Sequence, residues 1–260
     1  RETQEKKCRP CNVEVLRDEL ARIDPTSLEE FRKRCVAQLF ERGLVRGKTC
    51  AIDGTGLGTR QRVVGLMSLH KEQPLWLSWR VLEGHESEKG KEASVVRSMV
   101  EEVLAAGGGE AIEWLLMDAL YADGPLLAWL EHKCGIHALV RLPEERLLYE
   151  DACGLAEHGL TKWYTHSDTR HVSGHKQVRQ VSVTAVNDLT SWDTFMEAAK
   201  EYGCQEPRLS TVLVHAVDKA DPDKAERWGL VCTNPVLSPW SIYSLWRNRW
   251  LIENSGFREL

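Results

Sequence analysis

Hydrophobic and polar positions follow two rhythms along this chain, and each change of rhythm marks an element. VEVLRDELARI carries apolar residues at helical spacing and predicts a first helix. A second begins after Pro25, with Ser27 and Glu30 in capping-box spacing and Leu28, Phe31, Cys35, Leu39 and Phe40 at helical intervals. Three short runs rich in branched and aromatic residues predict strands: KTCAIDGTGL, RVVGLMSLH and PLWLSWRVLE. EASVVRSMVEEVLAA returns to helical period and stops at Gly107, Gly108 and Gly109. IEWLLMDAL is nearly continuous apolar sequence, as in a buried central strand. GPLLAWLEHKCG predicts a helix with Pro125 in its first turn and Gly135 past its end, and HALVRLP another strand.

From Glu144 to Lys224 the chain becomes more polar and partly His-rich, with strand patterns in QVRQVSVTAV and LSTVLVHAV. This stretch predicts a mostly β insertion. WGLVCTNP then reads as a return to the main sheet. SPWSIYSLWRNRWLIENSGFREL predicts one long helix, with Ser238 as N-cap and Pro239 at its first position. The expected organisation is a helical segment over 1–47, a core over 48–143, the insertion over 144–224, and the last strand and helix over 225–260. The order β-β-β-α-β-α-β, insertion, β-α suggests an antiparallel meander followed by parallel pairing. That is the pattern of an α/β fold with a ribonuclease H-like mixed sheet flanked by helices, though other α/β arrangements share it.

The chain is 260 residues long, enough for one sizeable core, and its net charge is -5. That balance argues against a pure nucleic-acid binder and fits an enzyme whose acids hold metal. Eight widely spread cysteines read as reduced thiols. No apolar run is long enough to span a membrane and no signal peptide opens the chain, so a cytoplasmic protein is expected. The chain opens on Arg1 and stops within a helical pattern, which predicts a fragment of a longer protein.

Three acids stand out. Asp53 interrupts an apolar strand, where a carboxylate is costly unless paired or metal-bound. Asp118 ends an apolar run, at the end of a strand where α/β sheets place functional groups. Glu253 lies on the last helix, one face with Trp246 and Arg249. Each also has a plain structural reading: Asp53 with Gly54 as a turn, Asp118 as a turn former or helix cap, Glu253 as a solvated helix residue.

With these residues in order, the sequence resembles the DDE transposases of bacterial insertion sequences, in the insertion-sequence-four group. The resemblance covers 48–260. It rests on AIDGTGL for the first acid, on LLMDALYADGPLLAWLEHKCGIHALVRL for the second with Tyr121, and on VCTNP followed by the helix with Arg249 and Glu253. The family's last helix runs Tyr, two residues, Arg, three residues, Glu, six residues, Lys. Here Trp246 holds the Tyr position and Leu260 the Lys position. The resemblance implies a ribonuclease H-like catalytic domain that cleaves DNA at transposon ends and transfers the strand to target DNA. It implies two Mg²⁺ or Mn²⁺ ions held by Asp53, Asp118 and Glu253, with Asp53 bridging. It implies contacts to DNA phosphate by the Tyr, Arg and Lys positions, a role that carries over here to Arg249, and a homodimer on DNA; Trp246 lacks the phenol hydroxyl but could stack on a base or ribose. A metal-dependent nuclease of the same fold and an inactive DNA-binding remnant are the alternatives.

The remaining features carry less. Cys8 and Cys11 have zinc-knuckle spacing without a second pair nearby. Cys153, His158, His166, His171 and His175 form a loose group that reads as loop histidines. GTGLGT leads to a strand rather than a helix, unlike a dinucleotide fingerprint. Trp250, Ile252 and Phe257 are expected to pack the last helix onto the sheet. Arg247 and Arg258 read as solvated arginines beside Arg249.

Overall fold

The structure, a computed structural model, describes residues 22–57, 61–83, 92–172, 175–221, 223 and 225–257. The predicted helix at 13–23, Cys8 and Cys11 therefore fall almost wholly outside the described residues, as do the side chains of His171 and His175 and all of Arg258.

A long helix, α1 (Pro25–Glu41), comes first. Its cap is Asp24 rather than the expected Ser27: the Asp24 carboxylate accepts from the Ser27 amide at 2.9 Å. Pro25 suits the first helical position because it has no amide hydrogen to satisfy there. The strands β1 (Thr49–Leu57), β2 (Gln61–Ser68) and β3 (Leu75–Glu83) form the expected antiparallel meander. Helix α2 (Ala93–Gly107) leads to β4 (Trp114–Met117), a one-turn 3₁₀ segment (Ala119–Tyr121), α3 (Gly124–Ala128) with a π-helical continuation (Trp129–Cys134), and β5 (His137–Leu142). β4 lies parallel to β1 on one side and to β5 on the other.

The 144–224 stretch contributes α4 (Leu147–Glu157), β6 (Tyr164–Val172), β7 (His175–Leu189), α5 (Asp193–Glu201) and β8 (Leu209–Asp218). Its strands do not stand apart. With β9 (Ala225–Cys232) they extend one nine-stranded sheet, ordered β3-β2-β1-β4-β5-β9-β8-β7-β6. The fold is mixed α/β, a large sheet flanked by helices. Among the described residues no helix is long and apolar enough to cross a membrane.

Alternation along the strands divides the core in two. Cys50, Ile52, Leu115, Met117 and Val140 face α2, α3, α4 and α5. Ala51, Leu116, Leu139, Val183, Val212 and Leu230 face the last helix, α6 (Pro239–Arg247), which inserts Ile242, Tyr243 and Trp246. Ser238 caps α6 as expected, accepting from the Ser241 amide. The single long helix expected after Pro239 is interrupted, however. α6 stops at Arg247, and a π-helical turn (Ile252–Gly256) follows.

Close approach explains the position of that turn. A Cβ on Gly256 would lie 2.6 Å from the Trp76 ring, and a Cβ on Gly65 of β2 only 2.0 Å from the same ring. Trp76 is thus clamped between β2 and the π turn, with Phe257 against it at 5.2 Å. Ile252 is fully buried beside it. Gly256→Ala is expected to cost about 1–3 kcal/mol through overpacking. A lowered urea midpoint with unchanged slope would register it.

Candidate active site

Asp53 and Ala51 share a sheet face, so the Asp53 carboxylate emerges on the α6 side. Ile52 pairs with Met117 in the parallel β1–β4 ladder, so Asp53 and Asp118 leave adjacent strands side by side. The π turn packs over β1 and brings in Glu253 from the far end of the chain. The three predicted acids therefore come together.

Their local bonds combine the structural and functional readings. Asp53 Oδ1 accepts from the Gly54 amide at 2.8 Å, and Asp118 Oδ1 accepts from the Ala119 amide at 2.8 Å, capping the 3₁₀ turn. Asp53 Oδ2 accepts from Arg249 at 2.6 Å. Glu253 Oε1 accepts from the other terminal nitrogen of Arg249 at 3.1 Å. Arg249 is only 7% exposed, and its charge joins two acids 200 residues apart in sequence (Asp53 and Glu253).

Burial raises the Asp53 carboxyl above its ordinary 3.8; Arg249 and the Gly54 amide oppose that rise, and Asp118 adds to it. Burial likewise raises Glu253 above 4.5, against Arg249 and with Asp53 and Asp118. Such mutual repulsion is what a cation would relieve. Because these folded values lie above the unfolded ones, the two groups' contribution to stability is full below the unfolded values. It is lost as pH rises through the raised ones. Glu253→Gln is therefore expected to raise the melting temperature of the metal-free protein near pH 8. The gain is small, about 1–2 °C, since solvent screens a partly exposed carboxylate, and it vanishes toward about pH 4. Thermal melts in EDTA across that range check the sign.

Among the described residues no group of three or more His, Cys, Asp or Glu side chains forms a ready metal cage. The chemistry of the donors nevertheless fits a hard divalent cation: three carboxylates, two of them destabilised as anions, with no sulfur or imidazole among them. The Arg249 guanidinium bridges two of them, Asp53 and Glu253.

Trp246, expected to stack on DNA, is instead buried, 7% exposed, with its ring in the α6 core and Arg249 over it at 5.2 Å. Its neighbour Trp250, expected in the core, is 54% exposed, with Arg249 over its ring at 5.6 Å. Ile252 packs as expected. Arg247 is not free: it pairs with Asp168 of β6, which also accepts from the Tyr243 hydroxyl at 3.0 Å, so α6 is tied to the β6 edge.

Behind the acids lie Tyr121, expected to pack near the site, and Glu92, which sequence reading missed. Glu92, 1% exposed, sits beneath Gly54 and pairs with Arg62 at 2.5 Å. The Tyr121 hydroxyl is buried without a hydrogen-bond partner among the described residues. Burial pushes its pKa far up, and the charges of Asp53 and Glu92 add to that. No local pattern signals Glu92, because its importance comes from a contact with β1 across the fold. The looser group of Cys153, His158 and His166 does not converge: His158 bonds the Gly154 carbonyl in its own helix, while His166 stacks on Trp240.

No family model and no curated protein matches the sequence. Among solved structures the chain is similar to the crystal structure of the NurA nuclease from Sulfolobus solfataricus, with 12% identity over 91% of this chain and 86% of that one. The TM-score is 0.34, a likeness too slight to establish a shared fold.

Proposed function

We propose that this chain is a metal-dependent DNA-cleaving enzyme of the DDE type, acting at transposon ends and transferring the cut strand to target DNA. One observation carries the reading: Asp53 and Asp118 follow paired positions on the adjacent strands β1 and β4, and Arg249 ties Glu253, in the turn after α6, to Asp53. The three antiparallel strands followed by two parallel ones support a ribonuclease H-like core around them.

Asp53 and Asp118 would hold Mg²⁺ from adjacent strands, and Glu253 would complete the donor set from the last turn. Bound there, two divalent ions would activate an attacking oxygen and stabilise the leaving one. The chain's own contributions follow from where its groups lie. The Gly54 and Ala119 amides each hold one carboxylate oxygen in place, which fixes the direction of the other. Arg249, with its forked donors, suits a phosphate next to the scissile bond. Trp250, exposed beside it, offers a face to a base or sugar, the role expected earlier of Trp246. The protein would work as a dimer holding two DNA ends.

Incubation of purified protein with supercoiled plasmid and Mg²⁺ tests the cleavage. Nicking that EDTA abolishes agrees with the proposal; nicking that persists in EDTA contradicts it. Joining of an oligonucleotide 3′-hydroxyl to the plasmid separates strand transfer from hydrolysis alone, and its absence alongside nicking would leave a nuclease.

A further inference from the structure

Arg249 occupies the space that a cation held by Asp53 and Glu253 would fill. Its two terminal nitrogens reach the two carboxylates at 2.6 and 3.1 Å. Its third nitrogen, Nε, is buried with no hydrogen-bond partner among the described residues. Its Cζ lies 5.2 Å from the centre of the Trp246 ring and 5.6 Å from that of Trp250. The guanidinium is thus held by charge and by two rings, with one donor unsatisfied, which makes this a replaceable seat. A single guanidinium charge also faces two carboxylates at once, those of Asp53 and Glu253.

We infer that Arg249 is an internal counter-ion that competes with divalent metal for Asp53 and Glu253, and that metal binding expels its guanidinium toward solvent, where it becomes free to hold a phosphodiester. The inference rests on the proposal that these carboxylates bind divalent ions. Its physical basis is Coulombic: a guanidinium and a dication cannot share carboxylate oxygens in a half-buried site without strong repulsion. Trp250, half in solvent, gives the released side chain a face to stay on while its charged end turns outward. Metal and DNA phosphate then assist each other. Each favours the expelled position of one side chain, so by linkage each tightens the other's binding by the same factor.

Titration of Mn²⁺ followed by electron paramagnetic resonance, on the full chain and on Arg249→Gln and Arg249→Lys, tests this. The expected result is Mn²⁺ binding about tenfold tighter in Arg249→Gln than in the unsubstituted protein, with Arg249→Lys between. Addition of a short DNA duplex of arbitrary sequence is expected to tighten Mn²⁺ binding in the unsubstituted protein and not in Arg249→Gln. That second arm needs no variant for its main signal, so a poorly folding substitution does not blunt it. Equal or weaker Mn²⁺ binding in Arg249→Gln, with binding lost in Asp53→Asn, overturns the competition and leaves the carboxylate site standing. Mn²⁺ that binds none of the proteins, with or without duplex, overturns both.

Discussion

Asp118→Asn is expected to lower Mg²⁺-dependent DNA nicking by about 100- to 1,000-fold while the protein stays folded. The substitution keeps what Asp118 does structurally. An asparagine carbonyl can still accept from the Ala119 amide, so the 3₁₀ turn after β4 retains its cap. What is lost is one of three negative charges converging on the site, and with it a hard anionic ligand. Asp123, five residues on, is the natural control. Its carboxylate caps α3 by accepting from the Leu126 amide at 2.8 Å, and Asp123→Asn should leave nicking within about twofold of the unsubstituted rate. Initial nicking rates, with a melting curve for each variant, distinguish the two. A comparable fall in both would mean that the loop, and not the carboxylate, matters.

The largest stability effect belongs to Glu102, far from the acids. It forms an ion pair with Arg32 of α1 at 2.5 Å and accepts from Arg80 of β3 at 2.9 Å, joining three elements. Burial alone would raise its pKa, but hydrogen bonds from Arg32, Arg80 and Ser78 hold it at about 2. Arg32 is itself 6% exposed. Glu102→Ala leaves that guanidinium buried with Glu29, the Leu77 carbonyl and the Trp79 ring as its partners among the described residues. The expected cost is about 3 kcal/mol, a fall in melting temperature of roughly 5–10 °C. The sign with pH follows from the depressed value. The stabilisation is present above the unfolded carboxylate range and is lost as pH falls toward 2, so the two proteins' melting temperatures should converge in acid. A difference that stays constant down to that pH would mean that lost packing, not the ion pairs, sets the cost.

What the sequence allowed to be read, and what it did not, divides by the range of the interactions involved. β1 through β5 were legible because their apolar runs and turn residues are local signals. The positions of Asp53 and Asp118 at strand level came with them. Helical spacing put Trp246, Arg249 and Glu253 on one face, and Arg249 does touch both of the others. Spacing could not say that this face turns inward, which buries Trp246 and leaves Trp250 outside. Nor could it show the π turn, which exists because Gly256 must sit against Trp76, 180 residues earlier in the chain. The alternation in β7 and β8 announced strands but not their neighbours, so their union with the main sheet through β9 was hidden. The pairing of Arg249 with Asp53 was hidden for the same reason: it is a product of the whole fold.

A crystal of the protein grown with Mn²⁺ and a short DNA duplex, read at the manganese edge for anomalous scattering, tests the central claim most directly. The account predicts a peak bound by Asp53 and Asp118 with Glu253 in the same coordination sphere, and Arg249 turned away onto phosphate. A map with Arg249 still bridging Asp53 and Glu253, and manganese elsewhere or nowhere, would contradict it.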